Sequence, residues 1–329
     1  MNCLCCGKPI IASASASEME TQWHRTCVMK FFGTRVLPEM DITEKTLELI
    51  AAESTNKGFT VPGVQKKMSL HLTTDGVRPR LTLVNYPMGY ILKPQTDQYQ
   101  ALPEAEFLVM QMAGLTGIPT VPYALLHAAD GFAYITKRID RCLPEQKNGT
   151  LQMLAMEDFC QLDLRLTEDK YRGSYERCAK IIAKYSQSVG LDLSELFLRV
   201  VFSFVVGNSD MHLKNFSLIE TAAGNGVYRL SAAYDMLPVN IIVPEDPEQL
   251  ALTVNGKKRN LHRNDFLKFA ESIALPRPAA ERMLNMVISM LPRYQMMCEN
   301  SYLPNDMKEL FSVLLSARTD SLRQAVVNA

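Results

Sequence analysis

The 329-residue chain has no excess of charge of either sign. Its 35 Lys and Arg balance 35 Asp and Glu, for a formal net charge of +0. No broad field of one sign is present to attract nucleic acid or an anionic membrane. Long hydrophobic runs are also missing. The longest, such as Val200–Val206, fall well short of the roughly 20 apolar residues of a membrane span. The first residues have neither the basic region nor the apolar stretch of a secretory signal, so the cytoplasm is the expected compartment and no membrane partner is expected. In that compartment the eight cysteines read as thiols or metal ligands rather than disulfides. No helix-turn-helix and no internal repeat is evident.

What is present suffices for a large core. Hydrophobic residues make up 47% of the chain, and a chain of this length divides into two domains or lobes. Residues 1–40 form a Cys-bearing segment, interrupted by the small-residue alternation Ala12–Ser17, which reads as a loop. Residues 41–140 combine a helix at Asp41–Ala52, with Thr43 as candidate N-cap, and a second helix at Glu104–Leu115. Strands are expected there at Met68–Leu72, Arg80–Leu83, Tyr90–Lys93, Ala124–Ala128 and Phe132–Thr136. Residues 141–329 are mostly helical, with helices at Gly173–Ser188, Ser194–Val206, Pro276–Met290 and Asp306–Val327.

The chemistry concentrates in Ser209-Asp210-Met211-His212-Leu213-Lys214-Asn215, followed by Tyr234-Asp235-Met236. Asp210 and Asn215 stand five residues apart, and Asp235 follows twenty residues after Asn215. A kinase-type phosphotransfer site has this layout: one carboxylate takes the proton of an attacking hydroxyl, and an asparagine and a later aspartate hold Mg²⁺ on the nucleotide phosphates. Mg²⁺ prefers oxygen ligands and keeps several waters, so one carboxylate and one amide oxygen suffice. Asn208-Ser209 stands where eukaryotic protein kinases have His-Arg, so the loop is not an ordinary eukaryotic one. Taken alone, D-x4-N also fits ordinary loop and turn residues. The flanks add weight: Leu196–Gly207 reads as a buried helix leading into the loop, and Phe216–Ile219 with Gly226–Leu230 as a strand pair.

Two upstream segments extend the pattern. Gly58–Leu70 reads as a turn followed by a strand, where a glycine lets backbone N–H groups approach phosphate, although the segment is neither G-x-G-x-x-G nor a Walker A sequence. Lys93 closes a short apolar strand, and Glu104 and Glu106 open the helix that follows. A strand-borne lysine that contacts phosphates and pairs with a helical glutamate is a kinase feature. Singly, Lys93 reads better as a solvated strand end and the glutamates as helix-start residues. In this order the elements together favour a kinase.

On these segments the chain resembles the HipA family of bacterial serine/threonine kinases, the toxins of toxin–antitoxin modules. The matching residues are Gly63–Leu70, Ile91–Pro94, Glu106-Phe107, Lys137–Arg141, Met156–Gln161, Tyr171–Tyr175, Asn208–Ser217 and Tyr234-Asp235, in family order over roughly residues 58–240. Pro62 and Ile139 depart from the family pattern. The resemblance implies an α+β, two-lobed protein-kinase-like fold, with a small mixed β-rich N-lobe and a mostly α-helical C-lobe. It implies use of ATP and Mg²⁺. Asp210 would be the base, Asn215 and Asp235 the Mg²⁺ ligands, and Lys93, oriented by Glu106, the contact to the α/β-phosphates. Gly63, Val64, Gln65 and Lys66 would form the phosphate loop. The backbone of Lys137 and Ile139 would receive adenine, with Asp140 near the ribose. His212 would either steady the transferred phosphoryl or order the loop. Thr60 matches the family's self-phosphorylated position. A protein hydroxyl is the implied substrate, aminoacyl-tRNA synthetases among the family's targets. The implied partners are a HipB-like helix-turn-helix antitoxin, through which alone DNA would be contacted, and a separate HipS-like small protein, as in the compact HipT-like form. Two other classes stay open: a small-molecule phosphotransferase with a similar Asp-x4-Asn and Asp set, and a binding scaffold on an inactive kinase fold.

The N-terminus poses a separate metal question. Cys3-x2-Cys6 is followed by His24-x2-Cys27, a spacing that suits tetrahedral Zn²⁺, and Cys6-Gly7-Lys8-Pro9 is similar to a zinc-knuckle turn. Cys5 lies inside the loop and blurs the ligand set. The other reading is that Trp23, Cys27, Phe31 and Phe32 pack a small cluster and the thiols are idle.

Overall fold

The computed structural model describes residues 1–40, 67–74, 78–82, 89–128, 131–142 and 152–323. The chain forms two units, Met1–Phe107 with Val121–Arg141, and Leu108–Thr120 with Cys142–Ala329. The expected helix at Asp41–Ala52 and the residues Thr60, Gly63, Val64, Gln65 and Lys66 lie outside the described residues.

In the first unit, short segments of alternating character pair into one sheet. The strands are β1 (Glu39–Met40), β2 (Met68–Thr73), β3 (Arg80–Thr82), β4 (Tyr90–Pro94), β5 (Tyr123–Ala128) and β6 (Gly131–Lys137). Their order is β1-β3-β2-β4-β6-β5, antiparallel except for β1 beside β3. β4 is enclosed by β2 and β6, with Leu92 opposite Met68 on one side and Ile135 on the other. An interior strand covered on both faces buries successive residues rather than alternate ones. Tyr90, Leu92 and Lys93 are accordingly all buried.

The small-residue alternation at Ala12–Ser17, expected as a loop, is non-helical through Ser15, and only its last two residues enter a helix, α1 (Ala16–Thr21). Ser15 accepts from the Glu18 N–H while Glu18 bonds back to the Ser15 backbone. That reciprocal cap satisfies two N–H groups that composition alone does not reveal. α2 (Arg25–Phe32) follows and stops at Gly33 in a left-handed conformation, φ 73°. Trp23, Phe31 and Phe32 pack on one another and on Tyr90 of β4, with ring centroids 4.8–5.9 Å apart. α3 runs Leu102–Leu115, starting two residues before the expected Glu104. Pro103 is placed in the first turn, where its missing N–H costs nothing, and Gln95 accepts the Leu102 N–H at 3.1 Å. The boundary between the two units falls within this helix, after Phe107.

The second unit is mainly helical. α5 (Tyr175–Tyr185) and α6 (Val189–Val205) follow the short α4 (Phe159–Leu162). α7 (Val239–Ile242), α8 (Arg263–Ser272), α9 (Arg277–Ser289), α10 (Leu291–Glu299) and α11 (Asn305–Arg323) complete the set among the described residues. α4, α7, α8 and α10 were not expected, and α6 begins five residues before the expected Ser194. A small sheet sets β8 (Ser217–Glu220) between β7 (Met156–Asp158) and β9 (Tyr228–Leu230), both antiparallel to it. The β8–β9 pair is the one expected around the Ala223–Gly226 turn. No described helix is long and apolar enough to cross a membrane.

α6 is the centre of this unit. Leu196, Phe197, Val200, Val201, Phe202, Phe204 and Val205 have no exposed surface. Its end is abrupt. Gly207 has φ +68°, and its N–H bonds back to Phe204 O at 3.3 Å while the Asn208 N–H bonds to Ser203 O at 2.8 Å. These two bonds are the Schellman termination, in which a left-handed residue just past the helix satisfies the last carbonyls. A Cβ on Gly207 would also lie 3.0 Å from Leu314 Cδ2 and 3.2 Å from Asn240 Cβ. Gly207→Ala therefore combines left-handed strain with overpacking and should destabilise the chain by about 2–4 kcal/mol, read as a drop in chemical-denaturation midpoint at unchanged m.

Candidate functional site

The first unit holds the residues expected to meet nucleotide. Lys93 is placed by β4 directly opposite Tyr134 of β6, and its Nζ lies 5.2 Å from that ring's centroid. Glu106, on the first turns of α3, brings Oε1 to 2.5 Å from Lys93 Nζ. The two side chains are 5% and 0% exposed, so Lys93 is no solvated strand end. A pair buried this deeply is tolerated only with close geometry, because each ion has given up its hydration. Of the two glutamates that open the helix, Glu106 meets Lys93. Glu104 is half-buried, and burial raises its carboxyl above the ordinary range.

The β6 exit carries the expected adenine segment. Lys137 N–H donates to Pro122 O and Arg138 N–H to Gly89 O, both at 2.9 Å. The Lys137 N–H is thus committed within the unit, and only its carbonyl side could meet a base. Asp140 is gripped by two arginines: Arg138 reaches both carboxylate oxygens, at 3.0 and 2.7 Å, and Arg141 reaches Oδ2 at 2.6 Å. Burial works to raise this carboxyl, but the Arg138 bonds and the two positive charges outweigh it and hold it below its usual range.

The second unit holds the residues expected to transfer the phosphoryl group. The chain leaves Gly207 into a loop whose polar groups are tied to one another. Asp210 N–H donates to Asn208 Oδ1 at 3.2 Å, His212 N–H to Asp210 O at 2.8 Å, and Asn215 N–H to His212 O at 3.0 Å. Asn215 Nδ2 donates to Asp210 O at 2.9 Å. That bond fixes which end of the amide is nitrogen and leaves its oxygen as the end that could meet a metal. Asn215 is 4% exposed. Ser209 Oγ donates to Asp246 Oδ2 at 2.6 Å, and Tyr175 OH holds Met211 O at 2.9 Å. Asp235 stands in the left-handed region, φ 59°. Few residues other than glycine adopt it, and such strain persists only where the surroundings enforce it. The preceding segment is held by an Ala233 N–H bond to Pro119 O at 2.7 Å, and by Tyr234 OH, 2.5 Å from Ser217 Oγ and 3.2 Å from Lys214 O.

Three participants carry no legible role in the sequence. Tyr171 OH donates to Asp210 Oδ1, and its ring stands edge-on to His212, centroids 5.0 Å apart. Partial burial, then this bond to a carboxylate, push the phenol's pKa well up. Tyr171 falls in a segment that matched the family, but the contact spans 39 positions and no local pattern announces it. Arg199 sits inside the apolar run of α6, has no exposed surface, and reaches Glu195 and the backbone carbonyl of Ser231. It ties α6 to the strand that leads to Asp235. Lys214 pairs with Asp158 of β7 at 2.6 Å, anchoring the far end of the loop.

A sheet bearing a buried Lys–Glu pair, joined in sequence to a helical unit bearing an Asp-x4-Asn loop and a later Asp, is a kinase-type α+β fold. Solved structures of that class agree. A Shewanella oneidensis toxin–antitoxin structure containing HipA, HipB and operator DNA aligns with a TM-score of 0.66 at 18% identity, over 80% of this chain and 65% of that one. The Helicobacter pylori proinflammatory kinase CtkA aligns with a TM-score of 0.52 at 13% identity, over 80% of this chain and 90% of that one. The chain belongs to the HipA-like family: the family model of the HipA-like C-terminal domain matches residues 59–294. Among curated relatives, "Putative kinase Y4dM" of Sinorhizobium fredii is 30% identical over 69% of this chain and 56% of its own length. A "Putative kinase" of Haemophilus influenzae is 23% identical over 81% of this chain and 82% of its own. The chain thus spans little more than half of the first of these and most of the second.

The buried pair generates a stability test. Glu106→Ala removes the carboxylate from a buried ammonium, and truncating one partner of such a pair typically costs about 3–5 kcal/mol. The first unit contains the sole tryptophan, Trp23, so the expected result is an earlier unfolding transition in Trp emission.

Proposed function

We propose that the chain is an ATP- and Mg²⁺-dependent serine/threonine protein kinase that transfers the γ-phosphoryl group to a protein hydroxyl and to itself. The observation that carries this reading is the Asp210–Asn215 loop. Its asparagine amide is clasped to the backbone of the aspartate, and its carboxylate already accepts a hydrogen bond from a hydroxyl, that of Tyr171. Asp210 would accept the proton of the attacking hydroxyl as its oxygen bonds to the γ-phosphorus and ADP leaves. Asn215 Oδ1 and the Asp235 carboxylate are a hard-oxygen donor set that fits Mg²⁺, whose charge would offset that of the phosphates. Lys93, held by Glu106, would bind the α/β-phosphates. Ile139 N–H and the carbonyl side of Lys137 would take the adenine edge, with Asp140 toward the ribose. His212, buried behind Tyr171, would steady the transferred group. Gly63, Val64, Gln65 and Lys66 would cover the phosphates.

The same reading makes the chain the toxin of a HipB-containing module acting in the cytoplasm, possessing a helix-turn-helix antitoxin and a HipS-like small partner, and touching DNA through the antitoxin. Family membership and the fold shared with a HipA–HipB–operator structure support it. An aminoacyl-tRNA synthetase is the proposed class of target.

Asp210→Asn should keep Mg-ATP affinity within a few-fold and lower transfer from labelled ATP into protein by about 10²–10⁴. Asp235→Asn should weaken Mg-ATP binding as well, since a metal ligand loses its charge. Near wild-type turnover of Asp210→Asn, or label recovered only in a metabolite, would overturn the assignment. For self-modification, wild-type protein incubated with ATP should carry phosphate on Thr60 while Asp210→Asn does not. A charge of about −1.5 to −2 there would oppose the nucleotide phosphates and lower ATP affinity. Phosphate on Thr60 in both proteins, or in neither, rejects it.

A further inference from the structure

Outside the kinase residues, the described chain brings one group of soft ligands together. Cys3, Cys6, His24 and Cys27 place their Sγ and ring nitrogen atoms all within 4.8 Å of one another. His24 Nδ1 is 3.4 Å from Cys6 Sγ and 3.9 Å from Cys27 Sγ. Four ligands on a tetrahedral zinc ion, at about 2.3 Å for sulfur and 2.0–2.1 Å for nitrogen, stand roughly 3.5–3.8 Å apart. The observed spacing is that of a zinc cage, with at most about an ångström of contraction to complete it.

The backbone is arranged for the same purpose. Cys3 N–H donates to Lys8 O at 2.9 Å, and Gly7 N–H returns to Cys3 O at 2.8 Å with Gly7 at φ 69°. Asn2 and Pro9 close the turn as an antiparallel bridge. The His24 N–H points at Cys3 Sγ, 3.4 Å away, from the second ligand-bearing turn. Backbone N–H groups aimed at sulfur favour the thiolate, the form that binds metal. Cys5 is not in the group.

We infer that Cys3, Cys6, His24 and Cys27 bind one Zn²⁺, and that this ion is a structural strut for the sheet that carries Lys93. Three thiolates and an imidazole are a soft donor set, which selects zinc over Mg²⁺. With all four positions filled by protein, no site remains for a substrate or a reactive water. The strut reaches the sheet at two points. Leu4, between ligands, accepts the Leu125 N–H of edge strand β5 through its carbonyl at 2.8 Å. α2, whose first turn carries Cys27 and whose N-cap is His24, presents Phe31 and Phe32 to Tyr90. Tyr90 OH donates to Phe31 O at 3.3 Å, three residues before Lys93 on the same strand. The aromatic cluster and the metal cage are thus two ends of one element. The packing cluster expected from the sequence forms, and the thiols lie beside it in ligand geometry.

The test uses the full chain without a polyhistidine tag, purified without chelator. Elemental analysis should find one zinc per chain, lost to background in Cys3→Ser and in His24→Ala and retained in Cys5→Ser. Because those variants could misfold, wild-type protein is also reconstituted with Co²⁺, which should give the intense visible bands of tetrahedral thiolate ligation. Stripping the metal should shift Trp23 emission to the red and speed amide exchange at Leu125 while leaving α6 protected. Metal-free wild-type protein that refuses Co²⁺, a disulfide among these cysteines in the folded protein, or retention of zinc by Cys3→Ser would overturn the site. Unchanged Trp23 emission and Leu125 exchange after stripping would overturn the strut. The same measurements on Asp210→Asn keep the metal question separate from phosphotransfer.

Discussion

The way α6 stops governs the geometry of everything after it. A buried helix with a nearly all-apolar last turn must end within a residue or two if the next segment is to be polar, and its last carbonyls cannot be left bare in the core. Gly207 solves both problems by turning left-handed under Leu314. The following eight residues then spend their polar groups on each other: Asn208 on Asp210, Asp210 on His212 and Asn215, His212 on Asn215. A loop built this way has little freedom left to lose when it acts, which is the sense in which a reactive centre is preorganised.

Much of this was legible in the chain. The strand positions in the first unit came out within a residue or two, because short apolar, β-prone runs bounded by turn residues mark them. The Asp-x4-Asn spacing, the strand-end lysine and the helical glutamate were readable as residue types at set intervals. What was not readable depends on contacts between distant positions. Tyr171 and Asp210 are 39 residues apart, and Arg199 hides among apolar residues that made the helix look uniformly greasy. β1 and β7, of two and three residues, are too short for a pattern to emerge. The start of α1 at the end of the Ala12–Ser17 loop was not readable from small residues; the deciding signal was the single pair Ser15 and Glu18. The choice of Glu106 over Glu104 came from the family resemblance rather than from the helix pattern, and the structure pairs Glu106 with Lys93.

The two units divide the chemistry cleanly. Groups suited to holding a nucleotide, namely Lys93 with Glu106 and the Lys137–Asp140 segment, lie in the first. Groups suited to proton transfer and metal binding, namely Asp210, Asn215 and Asp235, lie in the second. The family match begins at residue 59, so the cysteine-bearing residues 1–40 lie outside the matched domain. They nevertheless pack their aromatic residues against β4, the strand of that domain which bears the lysine.

The bond between Tyr171 and Asp210 has a thermodynamic side. In the proposed reaction an acceptor hydroxyl takes the place of the phenol on Asp210 Oδ1. One charge-assisted hydrogen bond is broken as another forms, so the exchange is close to neutral and the reacting atoms contribute little to affinity. Binding energy must then come from parts of the acceptor remote from the hydroxyl. A metabolite of a dozen atoms offers few such parts, while a folded protein offers an extended surface. Under the proposed function, an internal competitor at the base would act as a size filter, favouring acceptors that bring their own interface over water and small alcohols that do not.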